Sequence, residues 1–249
     1  MSEDAAPPLR RVRWHHLVTP MLASLVLPLI VALLVIGWDL AGGRSFDYGL
    51  LRNFYVLCGV QALSQIGMLG AALWLLARIS DPDLPARFVP ISRRILLRVL
   101  GAAIAVMLLL ALFEYLCDTF LHTHLGDDAA RLPITPHTWR ELPVGILVIG
   151  VLAPLSEEAY FRGLVMGWGR RHGGNAVAIL VSSLLFGLVH LKWWTPGGLT
   201  GWLLTAELAA MGAVLALVAL RTRSLFASAA LHAFNNLSAV VVLFLFAAP

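Results

Sequence analysis

Long apolar runs separated by short polar interruptions set the pattern of the chain. The runs cover about 18 to 39, 53 to 77, 95 to 121, 142 to 167, 175 to 191, 201 to 220 and 225 to 247. Each is long enough for a helix rising about 1.5 Å per residue to cross most or all of a ~30 Å hydrocarbon layer. The alternating segments of roughly ten residues that build a membrane β-barrel are not visible. The pattern predicts an all-α, polytopic membrane helical bundle of about seven transmembrane helices.

Composition reinforces this reading, since 59% of the 249 residues are hydrophobic and 13% charged, with a mean hydropathy of +0.84. No ordinary soluble domain reaches these values. The net charge of +4 comes from short arginine clusters between the runs, which read as topology signals in a lipid bilayer and not as a nucleic-acid surface. With the amino terminus in the cytoplasm, the inner side collects Arg10, Arg11, Arg13, Arg78, Arg87, Arg93, Arg94, Arg98, Arg170, Arg171, Arg221 and Arg223. The outer side keeps Arg44, Arg52, Arg131, Arg140 and Lys192. The first run is too long for a signal peptide and no small-residue cleavage site follows, so it is expected to be an uncleaved anchor. Cys58 and Cys117 both fall inside runs, which argues against a disulfide framework. The proline- and charge-rich DPDLPARFVPISRR, Asp81 to Arg94, is the candidate internal boundary. It divides 1–94, a tail with two lead helices and a basic loop, from 95–249 with the remaining helices.

Against this apolar background the stretch SEEAYFRG, Ser156 to Gly163, puts three ionisable groups where lipid is expected. A charge at mid-bilayer costs about 2.5 to 3.5 kcal/mol on insertion scales, so such groups point to function. Glu158 and Arg162 are four residues apart and form a natural ion pair on one helix face. Glu157 is turned ~100° away and is left to face something else. His190 on the fifth run and His232 with Asn236 on the seventh add two imidazoles and a carboxamide. If Arg162 is buried and its helix runs on to Gly167 or Trp168, Glu157 lies about 15 to 16 Å from that end. His190 then lies about 22 Å, and His232 about 12 Å, from the same surface. With tilt and local unwinding the three can share one polar chamber.

That set suits amide hydrolysis, which needs an activated water, a proton for the leaving amine and donors for the oxyanion. Glu157 can take the water's proton, His190 can orient the water, and His232 with Asn236 can serve the oxyanion. No serine or cysteine is paired with a base, which disfavours an acyl-enzyme. Two histidines and a glutamate could also hold zinc, though H-E-x-x-H is absent; the reading favours no cofactor.

These residues resemble a known family. Glu157-Glu158-Ala-Tyr-Phe-Arg162 is similar to its EExxxR motif, Phe186 to His190 to its FxxxH motif, and His232 to Asn236 to its HxxxN motif, in the same order. The family is the CPBP group of CAAX proteases and bacteriocin-processing enzymes, also called Abi or glutamic-type intramembrane proteases, and the resemblance covers about residues 142 to 240. It implies an intramembrane endopeptidase acting on a membrane protein or peptide. Glu157 would be the catalytic base, His190 would sit beside the water, His232 and Asn236 would be oxyanion donors, and Glu158 and Arg162 would support them. The arginine-, alanine- and leucine-rich composition points to a bacterial cytoplasmic (inner) membrane, where prenylated CAAX substrates are not expected.

Plainer readings stand beside these. Each motif alone could be a helix end, an interfacial residue or a helix–helix contact. Phe186, Tyr160 and Phe161 read as packing or lipid-facing residues, Glu114 and Asp118 as interfacial ones, and Glu207 as a deeper group able to line the chamber. His122, His124, Asp127 and Asp128 read as a solvated loop before a metal site. Pro196, Gly197, Gly198 and Gly201 form an outer turn. A proton- or ion-coupled transporter and a noncatalytic immunity or scaffold protein remain alternatives, and the oligomeric state is not legible.

Overall fold

A computed structural model of the chain describes residues 11–42, 53–81, 84–123, 125, 134–190 and 198–246. Arg10, Arg44, Arg52, His124, Asp127, Asp128, Arg131, Lys192, Trp193, Trp194, Pro196 and Gly197 lie outside them, and with them most of the loop-metal and outer-turn expectations.

The apolar runs become helices: α1 (Trp14–Ala41), α2 (Phe54–Arg78), α3 (Arg93–Leu121), a long composite element from Leu142 to Val189, α7 (Gly198–Thr222) and α8 (Leu225–Phe246). By length and hydropathy these are, among the described residues, six elements able to cross a membrane. Asn53 starts α2 by accepting the backbone N–H groups of Tyr55 and Val56, and Ser92 starts α3 by accepting that of Ile95. Both satisfy amides that have no partner inside their helix.

The composite element contains α4 (Leu142–Gly145), a π-helical segment Ile146–Leu152, α5 (Ala153–Glu157), a second π-helical segment Glu158–Val165, and α6 (Met166–Val189). It is not straight. Gly173 (φ −167°, ψ 26°) and Gly174 (φ 69°, ψ −162°) leave helical geometry, and the positive φ of Gly174 is one that a side chain would resist. The chain doubles back there. Ser182 Oγ donates to the Phe161 carbonyl across the two limbs (3.2 Å), and a Cβ on Gly169 would sit 2.9 Å from Ala178 Cα. The fourth and fifth expected spans are these two limbs, so six elements make seven passages.

Around this hairpin α1 packs on α2, α3 on α8 and α6 on α7, while α2 and α8 flank the stretch from Ile146 to Val165. The buried core is densest along that stretch, with Ala159, Leu164 and Val165 wholly enclosed beside Leu76, Leu225 and Leu231. The loop after α2 is bound to the α7–α8 turn: Arg87 N–H donates to the Arg223 carbonyl (3.3 Å), Leu225 N–H to the Arg87 carbonyl (2.8 Å), and Ser224 Oγ to the Val89 carbonyl (2.6 Å).

Candidate active site

The two π-helical segments determine where the polar residues point. Pro154 has no N–H, and the Ala153 N–H goes to Val148. The Ile149 carbonyl therefore has no helical donor either four or five residues ahead, and Asn236 Nδ2 fills the gap at 3.0 Å. A buried carbonyl is thus satisfied from another helix, and α8 is pinned beside α5. That places His232, one turn earlier on α8, over the Glu157–Glu158 pair.

Depth follows from the hairpin. Sixteen residues separate Glu157 from Gly173 and sixteen separate Gly174 from His190, about 24 Å of helix on each limb. The first limb runs past Gly167, where the sequence reading ended it, and this equalises the depths of Glu157 and His190 more closely than expected.

On one side of the cluster lies the ion pair. Arg162 Nη1 is 3.3 Å from Glu158 Oε1, both side chains fully enclosed, and Arg162 Nη2 donates to the Gly212 carbonyl at 2.9 Å. A Cβ on Gly212 would come within 3.1 Å of Ser183 Cα, so this small residue keeps α6 and α7 close enough for the contact. The guanidinium also lies over the Phe186 ring, 4.7 Å from its centroid, a favourable contact for a desolvated cation. His232 Nδ1 stands 3.1 Å from Glu158 Oε1. A carboxylate can only accept, so Nδ1 carries the proton.

On the other side, His232 Nε2 is 3.8 Å and His190 Nε2 3.9 Å from Glu157 Oε2. His190 Nδ1 lies 2.7 Å from the Phe186 carbonyl, which again assigns the ring proton to Nδ1. With neutral rings, two imidazole lone pairs and a carboxylate oxygen converge on one small space. The His190 side chain is 35% exposed and that of Glu157 12%, so the cluster opens past His190. Phe186 packs edge-on to His232 and Phe161 and tilted against His190; it is a packing hub, as are the buried Tyr160 and Phe161.

Glu157, Glu158, Arg162, His190 and His232 are therefore brought together, with Asn236 one turn away on the Ile149 carbonyl. Glu207 is buried on α7. Among the described residues no group of three His, Cys, Asp or Glu side chains is arranged to hold a metal ion. Sequence reading missed Gln65 of α2, a 5% exposed amide whose Nε2 lies 3.5 Å from Glu157 Oε1. Its signal was a polar residue deep in an apolar run, shared with Gln61 and Ser64 of the same run.

Residues 139–238 match the family model described as Type II CAAX prenyl endopeptidase Rce1-like. No curated protein and no solved structure matches the chain.

Proposed function

Through residues 139–238 the chain belongs to the CAAX-protease (CPBP) family of intramembrane proteases, and we propose that it hydrolyses a peptide bond of a membrane-associated protein or peptide with water activated by Glu157. The observation that carries this reading is the convergence of Glu157 Oε2, His190 Nε2 and His232 Nε2 across gaps of 3.8 and 3.9 Å. Such gaps are too long for direct hydrogen bonds and suit a bridging water, whose two O–H groups can serve Glu157 Oε2 and one of the two imidazole lone pairs.

In the proposed reaction that water attacks the substrate carbonyl carbon and yields its proton to Glu157. The oxyanion is met by the second N–H of Asn236 and by His232 once a solvent proton sits on Nε2, its Nδ1–H staying on Glu158. The proton on Glu157 then goes to the leaving amine as the C–N bond breaks. His190 orients the water and guards the open side. Glu158 and Arg162 neutralise each other and fix His232 without entering the chemistry.

The protein is a multi-pass membrane protein, and its arginine-bearing ends gather on one face. Val12 N–H donates to Asp81 Oδ2 (2.7 Å) and Arg171 Nη1 to the Val12 carbonyl (3.3 Å), with the Arg87–Arg223 contacts alongside. We assign that face to the cytoplasm by the positive-inside rule, in keeping with a bacterial inner membrane.

The experiment begins with membrane fractions from cells with and without the protein, to find a polypeptide that is shortened in its presence. The purified protein is then given that polypeptide in oxygen-18 water. Cleavage with one heavy oxygen in the new carboxyl group, unaffected by chelator, is expected. Loss of cleavage with chelator would replace the Glu157-held water with a zinc-bound one, and gradient-driven uptake with no cleaved product would support a transporter instead.

A further inference from the structure

The family match ends outside the lead helices, yet one of them reaches the site. Gln65, on the inner face of α2, donates from Nε2 to Glu157 Oε1 at 3.5 Å. Its Oε1 accepts the hydroxyl proton of Ser156, the residue before Glu157. Both partners are buried, Ser156 completely and Gln65 to 5% exposure.

The two contacts fix the amide's orientation together. Because the Ser156 hydroxyl donates to Oε1, the Gln65 amide must turn its N–H toward Glu157, whose carboxylate only accepts. The Ser156 oxygen also lies 2.9 Å from the Ala153 carbonyl, so the hydroxyl has two acceptors for its one proton. Removing the hydroxyl would leave Oε1 without its donor and loosen the amide, whose N–H is then held by the Glu157 carboxylate alone. The carboxylate consequently has divided duties: Oε1 is held by Gln65 from α2, and Oε2 faces the imidazoles of His190 from α6 and His232 from α8.

We propose that Gln65 is a positioning residue for the hydrolysis: with Ser156 it locks the Glu157 carboxylate in the rotamer that presents Oε2 to the water. This rests on the assignment of Glu157 as the base. It gives α2 a part in the chemistry.

Gln65→Leu, Ser156→Ala and their double variant, as full-length protein in detergent, would be compared with wild type for kcat, KM and thermal unfolding, alongside Glu157→Gln. Gln65→Leu is expected to lower kcat about 10- to 100-fold, the scale of a misplaced catalytic group, while KM stays within about twofold. Ser156→Ala should lower kcat less, and the double variant should be no slower than Gln65→Leu, because both act through one amide. Should Gln65→Leu not fold, Gln65→Met, which keeps the length and drops the amide, takes its place. An unchanged kcat in a folded Gln65 variant, a change confined to KM, or effects of the two substitutions that simply multiply would overturn the proposal. If Glu157→Gln cleaves normally, the reading of Glu157 falls first; if it is inactive while the Gln65 variant is normal, only the role of Gln65 falls.

Discussion

The two sides of the polar cluster begin one residue apart and have little else in common. Around Glu158 everything is closed, with a guanidinium, an imidazole N–H and no exposed surface. Around Glu157 Oε2 the groups are acceptors held slightly too far apart to bond, next to an imidazole more than a third exposed. The closed side resembles a structural ion pair buried in a bundle, and the open side resembles a binding site. An α-helix turns ~100° per residue, so adjacent glutamates can face different neighbours and be assigned different work.

If that division holds, the largest effect on stability comes from the closed side. Arg162→Met strands Glu158 as a buried charge and should cost about 3 to 5 kcal/mol, read as a lowered unfolding temperature in detergent. Arg162→Met combined with Glu158→Leu should recover part of that loss, because a well-packed apolar pair has no charge to strand. A double variant no more stable than the single one would mean that packing, not charge, holds this side.

Asn236→Leu should follow. It leaves the Ile149 carbonyl without a donor and is expected to cost about 1 to 3 kcal/mol. A full loss of cleavage at unchanged stability would instead assign the amide wholly to chemistry. Gly174→Ala, at the turn between the limbs, should cost about 1 kcal/mol from its positive φ, with cleavage nearly intact. Smallest in stability is His190→Ala on the open side: the unfolding temperature should stay within about 1 °C while cleavage falls about 100-fold. Equal damage to both would join the two sides into one structural network.

Much of this was legible in the sequence because lipid leaves few choices. An apolar run must form a helix to satisfy its backbone, and a glutamate, a histidine or an arginine inside such a run needs a partner. The three spaced motifs therefore identified the residues that meet. The turn at Gly173 and Gly174 was legible as a break but not as a tight hairpin, and ending the fourth span at Gly167 misjudged the depth of Glu157. The π-helical register was not legible. Its effect on Ile149 depends on Pro154 together with a donor 82 residues further along, a pairing no local pattern reveals. Gln65 escaped for a similar reason: Gln61, one turn earlier in the same run, offers an equivalent amide, and no local spacing tells which of the two faces Glu157.

Glu157→Gln puts the division between the two glutamates to its sharpest trial. The substitution keeps the shape of the side chain but replaces a charged, proton-accepting oxygen with a neutral NH2 that cannot take a proton. Cleavage of the identified polypeptide by the purified variant should fall about 100- to 10,000-fold while its unfolding temperature matches wild type. Cleavage within about threefold of wild type by a folded variant would contradict it, because the open side would then hold no base.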